Sequence, residues 1–237
     1  MTVLYSIQSG LKDLFHLLLP NNCSGCGNGL VSGEDMICSD CILELPRTNF
    51  HLYKKSPIEK ILWGRVHYQK ITSWMHFTKG GLVQRLLYEL KYNNNQALGF
   101  KLGEMLAYNL LDSGFFESMD LLIPIPLHHK KQFHRGYNQS ELIANGISSV
   151  TNVKVDTQVV KRIIANPTQT RKSRISRWDN VSDIMQVINE SELQNKHVLL
   201  IDDVITTGST IEAMTDVMES IPGIRISILT LCWAGDE

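Results

Sequence analysis

Length, composition and charge limit what this chain can be. It has 237 residues, 43% hydrophobic and 20% charged, which is enough apolar sequence for one globular core with a smaller module beside it. The formal net charge of -1 excludes a global positive field that would attract nucleic acid or a membrane. No apolar run approaches the ~20 residues that cross a bilayer, and the N-terminus lacks the basic start of a signal peptide. We therefore expect a cytoplasmic protein without membrane insertion.

The N-terminal part of the chain combines a helix pattern with four cysteines. Apolar residues at helical spacing between residues 4 and 18 predict a short packing helix. Two Cys-x-x-Cys pairs follow, Cys23 with Cys26 and Cys38 with Cys41. Two such turns can complete a tetrahedral thiolate site for structural zinc, with no open position for catalysis. Two disulfides or a redox pair are the alternative, but the missing secretory signal makes oxidation the weaker interpretation.

The middle of the chain predicts a connector, two helices and a strand. Residues 46–73 mix aromatic and charged residues, and we predict one or two strands there. Leucines at helical spacing predict an amphipathic helix that ends at Lys91 and Tyr92, and a second helix from about residue 97 to 111. Residues 120–125 form an apolar run closed by prolines, which predicts a buried strand.

A basic loop follows this strand and passes into another helix. Lys130, Lys131 and Arg135 can balance a diphosphate there, with His128 and His129 as hydrogen-bond donors from the strand end. For each histidine alone, a solvated loop position is the simpler interpretation. The loop as a whole resembles a second anion site after a strand.

A third cationic segment lies further along the chain. Between residues 128 and 180 there are ten Lys or Arg and three Asp or Glu, so a local positive patch exists despite the neutral total. Residues 160–187 are rich in Arg, Ser, Thr and Asn. They predict a solvated hairpin or disordered turn, a nucleic-acid contact or a lid over a polyanionic substrate, and the last two are compatible.

The most informative stretch is VLLIDDVITTGST, residues 198–210. Its first four residues predict a strand buried on both faces, and residues 211–218 continue at helical spacing. Asp202 and Asp203 can accept hydrogen bonds from two sugar hydroxyls or hold Mg²⁺. The small residues of the following turn can offer N–H groups and hydroxyls to a phosphate at the helix N-terminus: Thr206, Thr207, Gly208, Ser209 and Thr210. A plain capping box from Ser209 to Glu212 is the alternative, but capping does not require adjacent acids.

These two strand-loop-helix units predict a single site. Ligands of open α/β sheets bind outside the carboxyl ends of the strands, so the loop after residue 125 and the turn after residue 205 should meet above one parallel sheet. The sequence therefore predicts a sugar-phosphate site with cations on its other side.

The motifs together resemble the ComF family of competence-associated, phosphoribosyltransferase-like proteins. The cysteine pairs correspond to its zinc module, and residues 90–92 read L-K-Y. Residues 124–128 and 135–139 match its P-[IV]-P-L and R-G-[FY]-N-Q blocks. Gln169, Arg177 and Asn180 have the spacing of its Q…R-x-x-N loop, although Lys172 stands where the family usually has leucine. Residues 202–210 resemble the signature that binds phosphoribosyl pyrophosphate (PRPP) in type I phosphoribosyltransferases.

The resemblance implies an α/β fold with a type I phosphoribosyltransferase-like parallel sheet flanked by helices. A small N-terminal module, residues 1–48, would hold zinc through four cysteines, and residues 49–237 would form the phosphoribosyltransferase-like domain, with its core at 82–237. By the resemblance, Asp202 and Asp203 are the catalytic residues that bind the ribose diol of PRPP, and Thr206–Thr210 holds its 5′-phosphate. The loop of Leu127, His128, His129 and Lys130 would contact pyrophosphate and Mg²⁺.

The function implied is binding of PRPP with Mg²⁺ by a protein that handles incoming single-stranded DNA beside the DNA-uptake machinery. The residues expected to contact nucleic acid from a flexible loop are Gln169, Arg171, Arg174, Arg177 and Asn180. Nucleobase salvage by phosphoribosyl transfer is one alternative, and a non-catalytic PRPP sensor or DNA-binding adaptor is another. The sequence indicates no general base, acceptor or oligomeric state.

Overall fold

The computed structural model describes residues 21–164 and 183–235, so the helix predicted over residues 4–18 lies outside the described part. The α-helices are α1 (Ser39–Leu43), α2 (Pro57–Leu62), α3 (Leu82–Tyr92), α4 (Gln96–Leu111), α5 (His129–Arg135), α6 (Gln139–Thr151) and α7 (Ser209–Asp216). The strands are β1 (Ile71–His76), β2 (Leu121–Pro124), β3 (Val160–Ile164), β4 (Asp183–Val187), β5 (His197–Ile205) and β6 (Arg225–Trp233). Short 3-10 helices cover Phe50–Leu52 and Glu190–Glu192.

Four parallel strands form the main sheet in the order β1-β6-β5-β2. The apolar run predicted at residues 198–201 lies in β5, between β2 and β6, and its side chains are fully buried. That prediction is confirmed. Strand β5 continues to Ile205, so Asp202 and Asp203 lie within its carboxyl-terminal half and not after it. Strands β3 and β4 form a separate antiparallel pair.

Each face of the sheet packs against its own hydrophobic cluster. Leu199 and Leu229 point into the cluster that contains α3, α4, α6 and the cysteine-bearing segment. Val198 and Ile228 point into the other cluster, with α2 and α7. This alternation is the geometry of a sheet with helices on both sides. The cysteines share the first cluster with α3, while the predicted boundary at residue 48 stays a prediction.

The connector runs into one strand, in agreement with the prediction of one or two strands over residues 46–73, but it also contains a helix that was not predicted. It contains only β1 as a strand among its described elements, preceded by the helix α2. Pro57 occupies the first turn of α2, and Ser56 forms a capping box in which its backbone N–H donates to Glu59 Oε1 at 3.0 Å.

The basic segment after β2 differs from the loop that was predicted, because part of it folds as the helix α5. Helices α3 and α4 match their predicted bounds within one residue.

Helices α4 and α6 cross at a pair of glycines. A Cβ on Gly146 would collide with the carbonyl oxygen of Phe100, and a Cβ on Gly103 would collide with that of Ile143. The two backbones thus approach more closely than any side chain permits. This contact holds α6, and with it the residues at its N-terminus, against the rest of the core.

We expect Gly146→Ala to lower the free energy of unfolding by about 1–3 kcal/mol, because the helices must separate to admit the methyl group. Urea unfolding followed by circular dichroism measures the change. Gly29→Ala is the matched control, since no atom lies within 4 Å of its Cβ position. Equal unfolding midpoints for the two variants would contradict the close crossing.

Candidate sugar-phosphate site and cysteine cluster

A cleft of about 590 Å³ opens at the carboxyl edge of the sheet, and both predicted loops line it. The end of β5, the turn after it and the start of α7 contribute Asp202, Asp203, Thr206 and Thr210, and the segment after β2 contributes Leu127, His128, Lys131 and Arg135. The topology accounts for this meeting, because β2 and β5 are parallel neighbours whose carboxyl ends lie side by side. The structure therefore brings together an acidic half and a cationic half of one site.

The acidic half is a carboxyl pair with unequal surroundings. Asp202 Oδ1 accepts a hydrogen bond from Ser140 Oγ at 3.1 Å and another from the backbone N–H of Asp203 at 2.9 Å. Burial, with the adjacent charge of Asp203, raises the pKa of Asp202 to about 7. Asp203 Oδ2 instead forms an ion pair with Lys91 Nζ at 2.7 Å. One carboxylate is thus neutralised by a cation, and the other ionises near neutral pH.

The turn after β5 has the shape of an anion cradle. Gly208 stands directly before α7 with a φ of 75°, a left-handed conformation that favours glycine. Leu62 blocks the position that a Cβ would take there. Thr207 Oγ1 and Ser209 Oγ lie 2.9 Å apart at the N-terminus of α7. A small cavity of about 30 Å³ lies within the turn, lined by residues 204–211 and Asp202.

Arg65 links this turn to the connector through hydrogen bonds and an ion pair. Its Nη1 donates to the carbonyl oxygen of Thr207 at 2.7 Å and to that of Ile61 at 2.9 Å. Its guanidinium also pairs with Glu212 of α7, at 2.5 Å between Nη2 and Oε2. Glu212 is therefore engaged by Arg65, and α7 begins without a side-chain cap. The capping-box alternative for Ser209 and Glu212 is wrong, because glycine is the cap residue.

The cationic half is built on α5 and the start of α6. Arg135 Nη1 donates to Gln139 Oε1 at 2.8 Å, and its guanidinium lies 5.5 Å from the ring centroid of Tyr92. These two contacts fix the charge at the edge of the cleft. Lys131 lines the cleft one turn earlier. His129 and Lys130 belong to the first turn of α5, and their side chains lie outside the described part of the structure.

The four N-terminal cysteines form a compact cluster of free thiols. Their Sγ atoms all lie within 4.8 Å of one another, and those of Cys26 and Cys38 are 3.7 Å apart. A tetrahedral site with metal–sulfur bonds of ~2.3 Å has edges of ~3.8 Å, so the cluster can hold a metal ion. The backbone N–H groups of Gly25 and Cys38 donate to Cys23 Sγ at 3.3 and 3.2 Å. Burial raises the pKa of that thiol, but these bonds outweigh it and lower the pKa to about 6.

Comparison with known proteins agrees with these features. The family model described as "Phosphoribosyl transferase domain" matches residues 138–237, which contain the acid pair and the turn after it. "DNA utilization protein YhgH" of Escherichia coli is 25% identical over 231 residues, which cover 91% of this chain and 98% of that protein. "Competence protein F" of Haemophilus influenzae is 26% identical over 223 residues, 92% of this chain and 93% of that protein. The chain therefore resembles these DNA utilization and competence proteins over nearly its whole length, and residues 138–237 match a phosphoribosyltransferase domain.

The fold predicted from the resemblance to the ComF family is confirmed: a parallel sheet flanked by helices, with a four-cysteine cluster at residues 23–41. Among solved structures, adenine phosphoribosyltransferase from Thermoanaerobacter pseudethanolicus superposes with a TM-score of 0.36 and 18% identity, over 59% of this chain and 82% of that chain. An overlap this loose adds nothing to the assignment. In the described part of the chain, no helix is both long and apolar enough to cross a bilayer.

The third cationic segment falls largely outside the described residues. It connects β3 to β4, and the five residues expected to contact nucleic acid lie within it: Gln169, Arg171, Arg174, Arg177 and Asn180. Their roles stay predictions. At the near end of the segment, Arg162 of β3 is described and lines the cleft.

Several residues in or beside the cleft have no marker in the sequence. The sequence marks Lys91 only as the end of a helix and as part of L-K-Y, yet this lysine pairs with Asp203. Ser140 supports Asp202 from the first turn of α6, and Arg65 reaches the turn from the connector. No local pattern marks either contact. The available signal for Lys91 was a lone cation at the carboxyl end of an amphipathic helix.

Proposed function

We propose that this protein binds PRPP with Mg²⁺ in the cleft and acts in the cytoplasm on single-stranded DNA during DNA uptake. The observation that carries the proposal is the convergence of the Asp202–Asp203 pair, the cradle before α7 and the cations of α5 on one cleft. The names of the relatives in Escherichia coli and Haemophilus influenzae, DNA utilization protein and competence protein, support the biological half of the proposal.

Each part of the cleft has a role in this proposal. The carboxylates of Asp202 and Asp203 accept hydrogen bonds from the ribose diol, and the residues from Thr206 to Thr210 donate N–H and O–H groups to the 5′-phosphate. Lys131 and Arg135 face the diphosphate from the opposite side. Mg²⁺, bound with PRPP, supplies further positive charge against the diphosphate oxygens.

Phosphoribosyl transfer would use the same charges. The bond between C1′ and the diphosphate oxygen breaks, the electron pair leaves with pyrophosphate, and the acceptor forms the new bond to C1′. Positive charge that develops on the ribosyl group is stabilised by the carboxylates, while the α5 cations stabilise the leaving group. Zinc, in this proposal, is held by Cys23, Cys26, Cys38 and Cys41 as a structural ion without a part in the reaction.

Isothermal titration of the full chain with PRPP and Mg²⁺, together with a pyrophosphate-release assay, tests this proposal. We expect PRPP to bind, and release to occur with a DNA-borne acceptor. Release with a free nucleobase would instead support the salvage alternative, and binding without release would support the sensor or adaptor. Absence of PRPP binding would contradict the site assignment. The roles proposed for Arg171, Arg174 and Arg177 are tested by their replacement with glutamine and measurement of oligonucleotide affinity.

We expect Arg65→Met to weaken binding of PRPP and of ribose 5-phosphate by about 3- to 10-fold, because the cradle loses its bond to the Thr207 carbonyl. Pyrophosphate affinity should stay unchanged, since pyrophosphate does not use the cradle. Titration calorimetry measures all three ligands. His67→Ala is the matched control, because His67 lies on the same connector and its substitution removes only an exposed contact with Glu219. A parallel loss of pyrophosphate affinity would contradict this role for Arg65.

A further inference from the structure

Two aromatic side chains stand exposed on the wall of the cleft. Tyr88 and Tyr92 lie one helical turn apart on α3, with 57% and 63% of their surfaces exposed. Their ring centroids are 5.1 Å apart at an angle of 42°. Large exposed rings normally find a place in the core or at an interface, so a pair of them beside a binding cleft indicates a contact surface.

A second cavity continues from the cleft past Tyr92. It measures about 650 Å³ and shares four lining residues with the cleft: Lys91, Tyr92, Lys131 and Arg135. Phe133, which is 88% exposed, lines its far side. A surface with alternating rings and cations therefore runs out of the proposed PRPP site along α3 and α5. We call Tyr88, Tyr92, Lys131, Phe133 and Arg135 the aromatic-cationic surface.

The positive charge of this surface indicates which class of ligand it can bind. The residues that line the second cavity include two lysines and an arginine, and none of these described residues is acidic. Lys91 is engaged by Asp203, whereas Lys131 is exposed at the cavity wall. Arg135 is held in place by Gln139 and by the ring of Tyr92. Rings with fixed cations beside them suit a chain of stacked bases joined by phosphates.

A single strand fits this arrangement and a duplex does not. In a duplex the faces of the bases are covered by their neighbours, whereas the bases of a single strand can turn onto aromatic side chains. We propose that the aromatic-cationic surface binds single-stranded DNA, with bases stacked on Tyr92 and Phe133 and phosphates against Lys131 and Arg135. The proposal rests on the proposed function, and it places the DNA-borne acceptor beside the cleft.

Fluorescence anisotropy of a labelled oligothymidylate of about 15 nucleotides, with the full zinc-loaded chain at about 0.15 M salt, tests the proposal. We expect Tyr92→Ala and Phe133→Ala each to weaken binding about 5- to 100-fold, while Tyr92→Phe and Phe133→Tyr keep the affinity because they keep the ring. Tyr53→Ala is the matched control, since Tyr53 is 64% exposed and lines none of these cavities.

Three results would overturn the proposal: affinity for a duplex equal to that for the single strand, an equal loss in Tyr53→Ala, or tighter binding of an oligouridylate of the same length. The proposed function can fail separately. PRPP affinity should survive in Phe133→Ala, and DNA affinity should survive in Asp203→Asn, because each residue lies in only one of the two sites. If the chain does not bind PRPP but binds DNA in a way that depends on Phe133, the proposal for the aromatic-cationic surface stands and the proposal for the PRPP site is contradicted.

Discussion

Asp202→Asn is expected to make the unliganded protein more stable at about pH 8 and to weaken PRPP binding at least a hundredfold. The asparagine can still accept the hydrogen bonds from Ser140 and from the backbone N–H of Asp203. The substitution removes only the negative charge, which is unfavourable in the folded chain because the carboxyl group is buried and lies beside the charge of Asp203. The loss of a charge-assisted hydrogen bond to the ribose diol accounts for about 3 kcal/mol of binding free energy.

The pH dependence follows from the raised pKa of Asp202, about 7 in the folded chain against 3.8 in its ordinary state. The unfolded chain releases this proton above about pH 4, whereas the folded chain keeps it until about pH 7. The contribution of Asp202 to the free energy of unfolding therefore falls as pH rises from 4 to 7. We expect the free energy of unfolding of Asp202→Asn to exceed that of the wild-type chain by about 1–3 kcal/mol at pH 8 and to equal it near pH 4.

Thermal unfolding from about pH 4 to 8, in buffers of equal ionic strength, measures this difference. Wild-type affinity for PRPP should also rise as pH passes through 7, because the carboxylate is the form that accepts from hydroxyls. In the Asp202→Asn variant, affinity should change only as the phosphates of PRPP titrate. A stability gain at pH 4 equal to that at pH 8 would contradict a charge buried at this position.

Cys41→Ser is expected to abolish metal binding and to lower the unfolding temperature by about 10 °C or more. Cys41 is 3% exposed and shares a hydrophobic cluster with Leu45 and Leu86, so loss of the ion releases buried structure along with one ligand. A decrease of about 3–5 kcal/mol in the free energy of unfolding corresponds to this change in unfolding temperature for a chain of this size. PRPP affinity should fall too, because α3 packs against the cysteines and carries Lys91.

Zinc content per chain, measured by mass spectrometry, and calorimetric unfolding together check this result. Cys232→Ala is the matched control, since Cys232 is a buried cysteine whose Sγ donates to the carbonyl oxygen of Asp203, far from the cluster in sequence. It should retain one zinc ion per chain even if its packing suffers. Equal zinc content in Cys41→Ser and in the wild-type chain would reject the four-cysteine site.

The features that can be predicted are those that depend on residues close together in the sequence. An apolar run leading into Asp202 predicts a buried strand whose end carries acids, and the paired Cys-x-x-Cys spacing predicts convergent thiols. Parallel topology then predicts that the loops after β2 and β5 meet. Ser56, Pro57 and Glu59 form a readable start signal for α2, but the aromatic residues around this helix favour a strand interpretation.

The features that escaped prediction depend on contacts between distant parts of the chain. Arg65 and Glu212 are 147 positions apart, and nothing near either residue marks the other as its partner. The same holds for Lys91 with Asp203. The raised pKa of Asp202 depends on burial by α6 as well as on its neighbour, so two adjacent acids in a sequence do not reveal which one stays protonated.

The position of β6 in the sheet has a consequence for synthesis on the ribosome. Residues 225–233 follow both β1 and β5 in the chain, yet they lie between these two strands and provide the pairing edge for both. Until they emerge, β1 has no partner in the main sheet and β5 is paired on one side only. The four-stranded sheet therefore cannot close before residues 225–233 have emerged, and its completion is a long-range step in folding.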